Sequence, residues 1–162
     1  MNDSATLYRQ STAFGASPVG QVIALYDAIL RDLHKANLAM AAGRVEDRVA
    51  AVNHSLTVIG ELQGVLDFEK GGEPARNLEN FYIVARNLIA QASMESSREK
   101  LQEAVGMFTR LRTAWSEIER NLDRTESTKS YRIASGNMQA DSLSAEPPAE
   151  KDKPGGSGGW QA

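Results

Sequence analysis

Residues 45–68, VEDRVAAVNHSLTVIGELQGVLDF, decide the fold class because their apolar side chains recur at the spacing of an α-helix. Steps of four and three residues place one set on a single helix face. This set consists of Val45, Val49, Val52, Leu56, Ile59, Leu62 and Leu66. A second line, Val58, Val65 and Phe68, lies beside that face and widens it. The segment therefore predicts an amphipathic helix whose broad apolar surface needs either another helix or a binding partner.

The same periodicity continues through residues 17–122, and the alternating pattern of β-strands is missing. Start and stop signals divide this range into four helices. The signals are Ser17 with Pro18, Gly43, the paired glycines 71–72 with Pro74, and a Ser96–Glu99 capping box. Short connections make neighbouring helices antiparallel. The prediction is an all-α, antiparallel up-down-up-down four-helix bundle over residues 17–122.

The paired glycines in EKGGE, residues 69–73, raise the alternative of a phosphate-binding loop. Such a loop follows a β-strand and carries a lysine after its glycines. Here the segment before the glycines is helical in pattern, and Lys70 precedes them. The glycines instead predict a corner between the second and third helices, since glycine adopts backbone angles that other residues avoid.

Composition limits the compartment and the class of partner. The 162 residues carry a formal charge of −3 with both signs intermixed, which argues against a nucleic-acid complex. Cysteine is absent, and neither a leader peptide nor an apolar run long enough for membrane insertion is evident, so we expect a soluble cytosolic protein. Residues 1–16 are expected to form a mobile N-terminal segment. Residues 123–162, poor in large apolar groups, are expected to form a disordered tail.

The two histidines suggest no metal site, because neither belongs to the Glu-x-x-His motif used by metal-binding bundles. His54 is expected to face solvent, which raises the hypothesis of a histidine phosphotransfer domain. The Leu-Lys-Gly pattern that accompanies the histidine of such domains is absent after His54. No catalytic, cofactor-binding or metal-ligating residue is predicted, and a general helical adaptor is a further alternative.

Several short motifs resemble the bacterial flagellin-specific export chaperone family, the FliS family. In chain order they are Tyr8 and Gln10, ASP at 16–18, LYD at 25–27, EKGGE at 69–73, NL at 77–78, Tyr82, and AW at 114–115. The resemblance extends from Tyr8 to about Ile118 and implies a cytosolic, non-enzymatic chaperone without ATP. It implies binding of the disordered C-terminal segment of flagellin, prevention of premature polymerisation, and delivery to the flagellar type III export apparatus through an export gate component. A monomer or weak homodimer is expected.

The resemblance and the apolar pattern together nominate partner-binding residues. Tyr8 matches an N-terminal tyrosine of the family that is implied to cover the binding surface or to take part in docking at the export gate. The other candidates are apolar side chains that could face the client or belong to the core. They are Ile23, Val58, Leu62, Val65, Tyr82 and Ile89.

Overall fold

The computed structural model describes residues 17–143, with side chains through residue 133, and this part of the chain contains four α-helices and no β-strand. The helices are α1 (Pro18–Ala41), α2 (Val45–Gly64), α3 (Phe68–Met94) and α4 (Arg98–Leu143). Three-residue connections join them, and they form a four-helix bundle, which confirms the predicted fold class. The predicted mobile segment 1–16 lies outside the described residues. Within residues 17–143, no helix is long and apolar enough to cross a membrane.

The predicted signals at Ser17 and Gly43 act as expected, whereas the signal at the start of α4 does not. Ser17 caps α1 by accepting a hydrogen bond from the Gly20 amide at 3.0 Å, and Gly43 ends the following turn with φ of +67°. At α4 the cap is Ser97 and not Ser96, because the Ser97 hydroxyl oxygen accepts from the Lys100 amide at 3.3 Å. Ser96 itself takes a left-handed conformation with φ of +52°, which places it in the turn before the helix.

The corner between α2 and α3 comprises two separate breaks. α2 ends at Gly64, earlier than predicted, and Asp67 caps a new helical segment by accepting from the amides of Glu69 and Lys70. Gly72, with φ of +52° and ψ of −133°, interrupts this segment two residues before Pro74. The paired glycines therefore allow a change of direction, as predicted, but they lie within α3 and not at the end of α2.

The bundle encloses one continuous core to which all four helices contribute. Its largest fully buried side chains include Tyr26 and Leu33 from α1, Ile59 from α2, Tyr82 from α3 and Phe108 from α4. Phe81 meets the ring of Phe108 edge-on, with centroids 5.3 Å apart. Burial of these apolar groups is the main source of bundle stability, since isolated helices of this length are marginal in water.

The buried face of α2 is rotated relative to the predicted face. Val45 and Val49, assigned to the core, are 55% and 41% exposed, whereas Val58, assigned to the side line, is fully buried. Two small residues outside the predicted apolar set, Ala51 and Ser55, are buried on this face. Burial of the Ser55 hydroxyl leaves no hydrogen-bond donor unsatisfied, because the hydroxyl donates to the Val52 carbonyl oxygen at 2.7 Å.

Polar side-chain contacts link neighbouring helices of the bundle. Asp27 on α1 accepts two hydrogen bonds from the Arg112 guanidinium on α4, at 2.5 and 3.2 Å. Gln63 on α2 contacts both Glu79 and Arg86 on α3. α1 is thus tied to α4, and α2 is tied to α3.

Helix α4 extends to Leu143, whereas the sequence predicts that it ends at Leu122. The chain divides into two compact units between Leu122 and Asp123. In the second unit every side chain from 123 to 133 is exposed. The low apolar content predicted from the sequence thus gives a helix without a buried face over these residues, and disorder after residue 143 stays a prediction.

Candidate functional site

The structure places most of the predicted client contacts inside the bundle. Val58, Leu62, Tyr82 and Ile89 are at most 3% exposed, and Ile23 is also buried. Val65 differs, because it follows the end of α2 and is 69% exposed. Tyr8 lies outside the described residues. A direct contact role for these residues stays a prediction, but in this structure only Val65 among the six described ones is open to a partner.

Tyr82 is held in the core by a hydroxyl pair. Its oxygen lies 2.6 Å from that of Tyr26, and both rings are almost completely buried. Burial raises the pKa of both tyrosines, because the phenolate form would lose its hydration. A tyrosine that satisfies its hydroxyl in this way acts as a structural link between α1 and α3.

The exposed side of α3 has the properties expected of a binding surface. Helical spacing places six exposed residues along it, which we call the α3 face: Asn80, Ile83, Val84, Asn87, Gln91 and Met94. Ile83 and Val84 are 44% and 56% exposed, and Met94 is 80% exposed. The remaining members are neutral amides. The α3 face therefore presents apolar and amide groups to solvent without a formal charge.

Arg86 lies on the border of the α3 face that is nearest to α2. Its Nη1 donates to Gln63 Oε1 at 3.0 Å, and Gln63 Nε2 donates in turn to Glu79 at 3.3 Å. A Cβ added to Gly60 would lie 3.3 Å from the same Nη1 atom, so the guanidinium rests against the α2 backbone. Arg86 is thus an exposed cation whose direct partner is the neutral Gln63.

Sequence reasoning missed the α3 face, although a signal for it is present. Residues 80–94 contain one charged residue, Arg86, whereas residues 98–122 of α4 contain nine, and the whole chain is 24% charged. Solvated helix faces normally carry charges, and the centres of protein interfaces are depleted of them. Charge depletion on a helix with a clear apolar stripe marks an exposed side that is suited to a partner.

A second polar site lies between α1 and α2. His54, predicted to face solvent, is partly buried, and its Nδ1 lies 2.5 Å from Oδ2 of the buried Asp32. The pair lines a pocket of about 520 Å³, together with Lys35, Leu38, Arg44, Asp47, Ala50 and Ala51. Arg44 and Asp47 are also paired, at 3.4 Å. Most of the charges in this pocket are thus satisfied by one another, and the pocket offers no set of convergent free groups.

The described residues hold no cluster of three or more histidine, cysteine or acidic side chains placed to bind a metal ion. Of the two histidines, His34 is exposed on α1 and His54 is engaged by Asp32.

Comparison with known proteins agrees with a helical binding protein. The family model for the flagellar protein FliS matches residues 1–122. The flagellar secretion chaperone FliS of Campylobacter jejuni is 32% identical over 114 residues, which cover 70% of this chain and 89% of the relative. The flagellar secretion chaperone FliS of Salmonella typhimurium is 29% identical over 110 residues, covering 67% and 82%. That of Vibrio cholerae is 27% identical over 103 residues, covering 64% and 76%. The match covers well over half of the chain and includes α1, α2, α3 and α4 as far as Leu122, and this chain therefore belongs to the FliS family of flagellar proteins.

Proposed function

We propose that this protein is a flagellar secretion chaperone that binds the disordered C-terminal segment of flagellin in the cytosol. By covering that segment it prevents premature polymerisation, and it delivers flagellin to the flagellar type III export apparatus through an export gate component. The observation that carries the proposal is the family match across residues 1–122. Relatives in three bacteria are named flagellar secretion chaperones, which is a binding role and not a catalytic one.

The physical properties of the bundle support this role. A segment that later packs into a filament carries apolar helical faces, and a chaperone must offer apolar surface of its own to cover them. Exposed apolar side chains on α2 and α3, such as Val49, Ile83 and Val84, offer such surface. Ordering a flexible client costs about 2 to 5 kcal/mol of the interaction energy, which keeps the complex reversible enough for hand-over.

The phosphotransfer hypothesis receives less support from the geometry. The imidazole of His54 is partly buried, and Asp32 engages its Nδ1 atom. A general helical adaptor shares the fold, but the family match favours a flagellar client.

Binding to truncated flagellin tests the proposal. The purified full-length chain is titrated calorimetrically with intact flagellin, with flagellin lacking its C-terminal segment, and with flagellin lacking an equal length of its N-terminal segment. We expect a complex with the first and third proteins and none with the second. Seeded flagellin polymerisation, followed by light scattering, should stop at a one-to-one ratio of chaperone. Equal binding to intact and C-terminally truncated flagellin would refute the proposed client site.

A further inference from the structure

The geometry points to the exposed part of α4 as a self-docking surface, through which two copies of this chain pair antiparallel. The surface is one helix face within residues 122–133, which we call the α4 seam. It consists of Leu122, Glu126, Lys129 and Ile133. Its partner is the same seam of a second copy, so the inference goes beyond the proposed function and does not depend on it.

Helix α4 has no buried face over the residues of the α4 seam. Leu122 and Ile133 are 50% and 60% exposed, and every side chain between them is also exposed. Isolated helices of about 12 to 15 residues are marginal in water, because packing supplies most of the helical stability in proteins. A second helix laid along this part of α4 would supply packing that the single chain does not.

The four members of the α4 seam share one side of the helix. They follow one another at steps of four, three and four residues, so at about 100° per residue they fall within about 60° of one another. An apolar residue lies at each end, with an acid and a base between them. Within the part of the chain whose side chains are described, no ion pair engages Glu126 or Lys129. Both charges are therefore available to a partner.

The order of residues in the α4 seam makes it complementary to itself. A two-fold axis that crosses the helix midway between Glu126 and Lys129 exchanges these two positions, and it also exchanges Leu122 with Ile133. In an antiparallel pair, Leu122 would therefore pack on Ile133 of the second copy, and Glu126 would face its Lys129. Each contact occurs twice, as in any two-fold symmetric interface, which is the commonest kind in homo-oligomers. A parallel pair in the same register would instead place like charges opposite one another.

The size and charge of the α4 seam indicate a weak, salt-sensitive dimer. From residue 122 to residue 133 the helix rises about 17 Å at 1.5 Å per residue, which is about three turns. A contact of this length is smaller than a standard stable interface, which buries about 800 Å² on each partner. Its exposed ion pairs are screened by salt. In low salt the dimer should therefore form between about 10 µM and 1 mM protein.

Sedimentation equilibrium of the full-length chain tests the inference, and charge exchange is the decisive comparison. Glu126→Lys and Lys129→Glu each place like charges at both ion pairs, so each should weaken dimerisation by about 5- to 30-fold. An equimolar mixture of the two variants restores opposite charges at both pairs and should form a heterodimer as readily as the wild type forms a homodimer. Arg124→Glu is the matched control, because Arg124 is exposed on the opposite side of α4. This control should change dimerisation by less than about twofold, and circular dichroism should show an unchanged helical signal for every variant.

Disulfide cross-linking tests the register. The chain contains no cysteine, so Leu122→Cys and Ile133→Cys each introduce a single thiol. With oxidised glutathione, a mixture of these two variants should form a disulfide-linked heterodimer, because positions 122 and 133 meet across the two-fold axis. Each variant alone should cross-link far less, since its two thiols would lie about 17 Å apart along the helix pair.

Three results would overturn the inference. The first is a wild-type chain that stays monomeric at about 1 mM in low salt. The second is dimerisation that neither charge reversal weakens or that the mixture of the two variants does not restore. The third is cross-linking of each cysteine variant with itself in preference to the other. None of these results bears on the binding of flagellin, which the titration with truncated flagellin tests separately.

Discussion

The Tyr26–Tyr82 hydroxyl pair leads to a quantitative prediction about stability. Both side chains are at most 1% exposed, and their oxygens lie 2.6 Å apart. Either hydroxyl can be the donor of this hydrogen bond, and the other then accepts it. Removing either hydroxyl should therefore leave a buried polar group without its partner.

The expected magnitudes follow from that geometry. Tyr82→Phe leaves the Tyr26 hydroxyl unpaired and should cost about 1 to 3 kcal/mol of unfolding free energy. Tyr26→Phe leaves the Tyr82 hydroxyl unpaired and should cost a similar amount. The double variant removes both hydroxyls, so that neither is left without the other. Its cost should be no greater than that of one single variant, which gives a coupling energy of about 1 to 3 kcal/mol.

Urea unfolding followed by far-ultraviolet circular dichroism measures these free energies by linear extrapolation. The four proteins, wild type, two single variants and the double variant, close a double-mutant cycle. An unchanged dependence on urea across the cycle ensures that the denatured states are comparable. Costs that simply add, to within about 0.5 kcal/mol, would refute the claim that the two hydroxyls satisfy one another.

Three further predictions concern the same bundle. First, burial raises the pKa of both core tyrosines, so their contribution to stability is complete below about pH 10 and is lost as the pH rises further. The loss is up to about 1.4 kcal/mol per pH unit for each tyrosine. Urea unfolding from pH 8 to pH 11 should show this loss in the wild type and not in the double phenylalanine variant. Second, Val58→Glu should unfold the bundle because it buries a charge. Val65→Glu, at an exposed position, should change the unfolding free energy by less than about 0.5 kcal/mol. Equal thermal stability of the two variants would contradict the assigned burial. Third, Gly72→Ala should lower the unfolding free energy by about 1 to 3 kcal/mol, because the backbone φ of residue 72 is +52°. Gly64→Ala, with open space around its added Cβ, should leave the unfolding free energy unchanged or raise it. A chemical denaturation curve for each variant measures these two free energies.

The sequence predicts the helices well because their ends have local causes. A serine that caps a helix, or a glycine at positive φ, acts through its own backbone, and Ser17 and Gly43 act as expected. The same reasoning fails at α4, where two serines are adjacent. Ser96 and Ser97 both precede charged residues, and only the geometry identifies Ser97 as the cap. The end of α4 also could not be predicted from apolar content, because helix formation from residue 123 to 133 involves no buried side chain.

Which face of each helix is buried depends on packing between helices, and there sequence reasoning is weaker. Apolar periodicity assigns Val45 and Val49 to the core of α2, but the packed face is centred on residues that include Ala51 and Ser55. Small residues contribute little to an apolar pattern, yet they determine how closely two helices approach. The pair formed by His54 and Asp32 was missed for a related reason, since 22 residues separate them in the chain and only the approach of α1 to α2 brings them together.

The difference between the predicted and the observed buried face of α2 explains why surplus apolar residues are a poor guide to the binding surface of a small bundle. Each helix of such a bundle contacts two neighbours, so a residue of a second apolar line can be taken into the core, as Val58 is, while Val65 and Phe68 of the same line stay exposed. An exposed position has no corresponding structural reason to lack charge, because charged residues cost little there and aid solubility. The fifteen residues 80–94, with Arg86 as their single charge, depart from that expectation on a face that remains open after the core is complete. Missing charge on an exposed helix face is therefore a separate signal, and it identifies the α3 face, which the search for extra apolar residues did not.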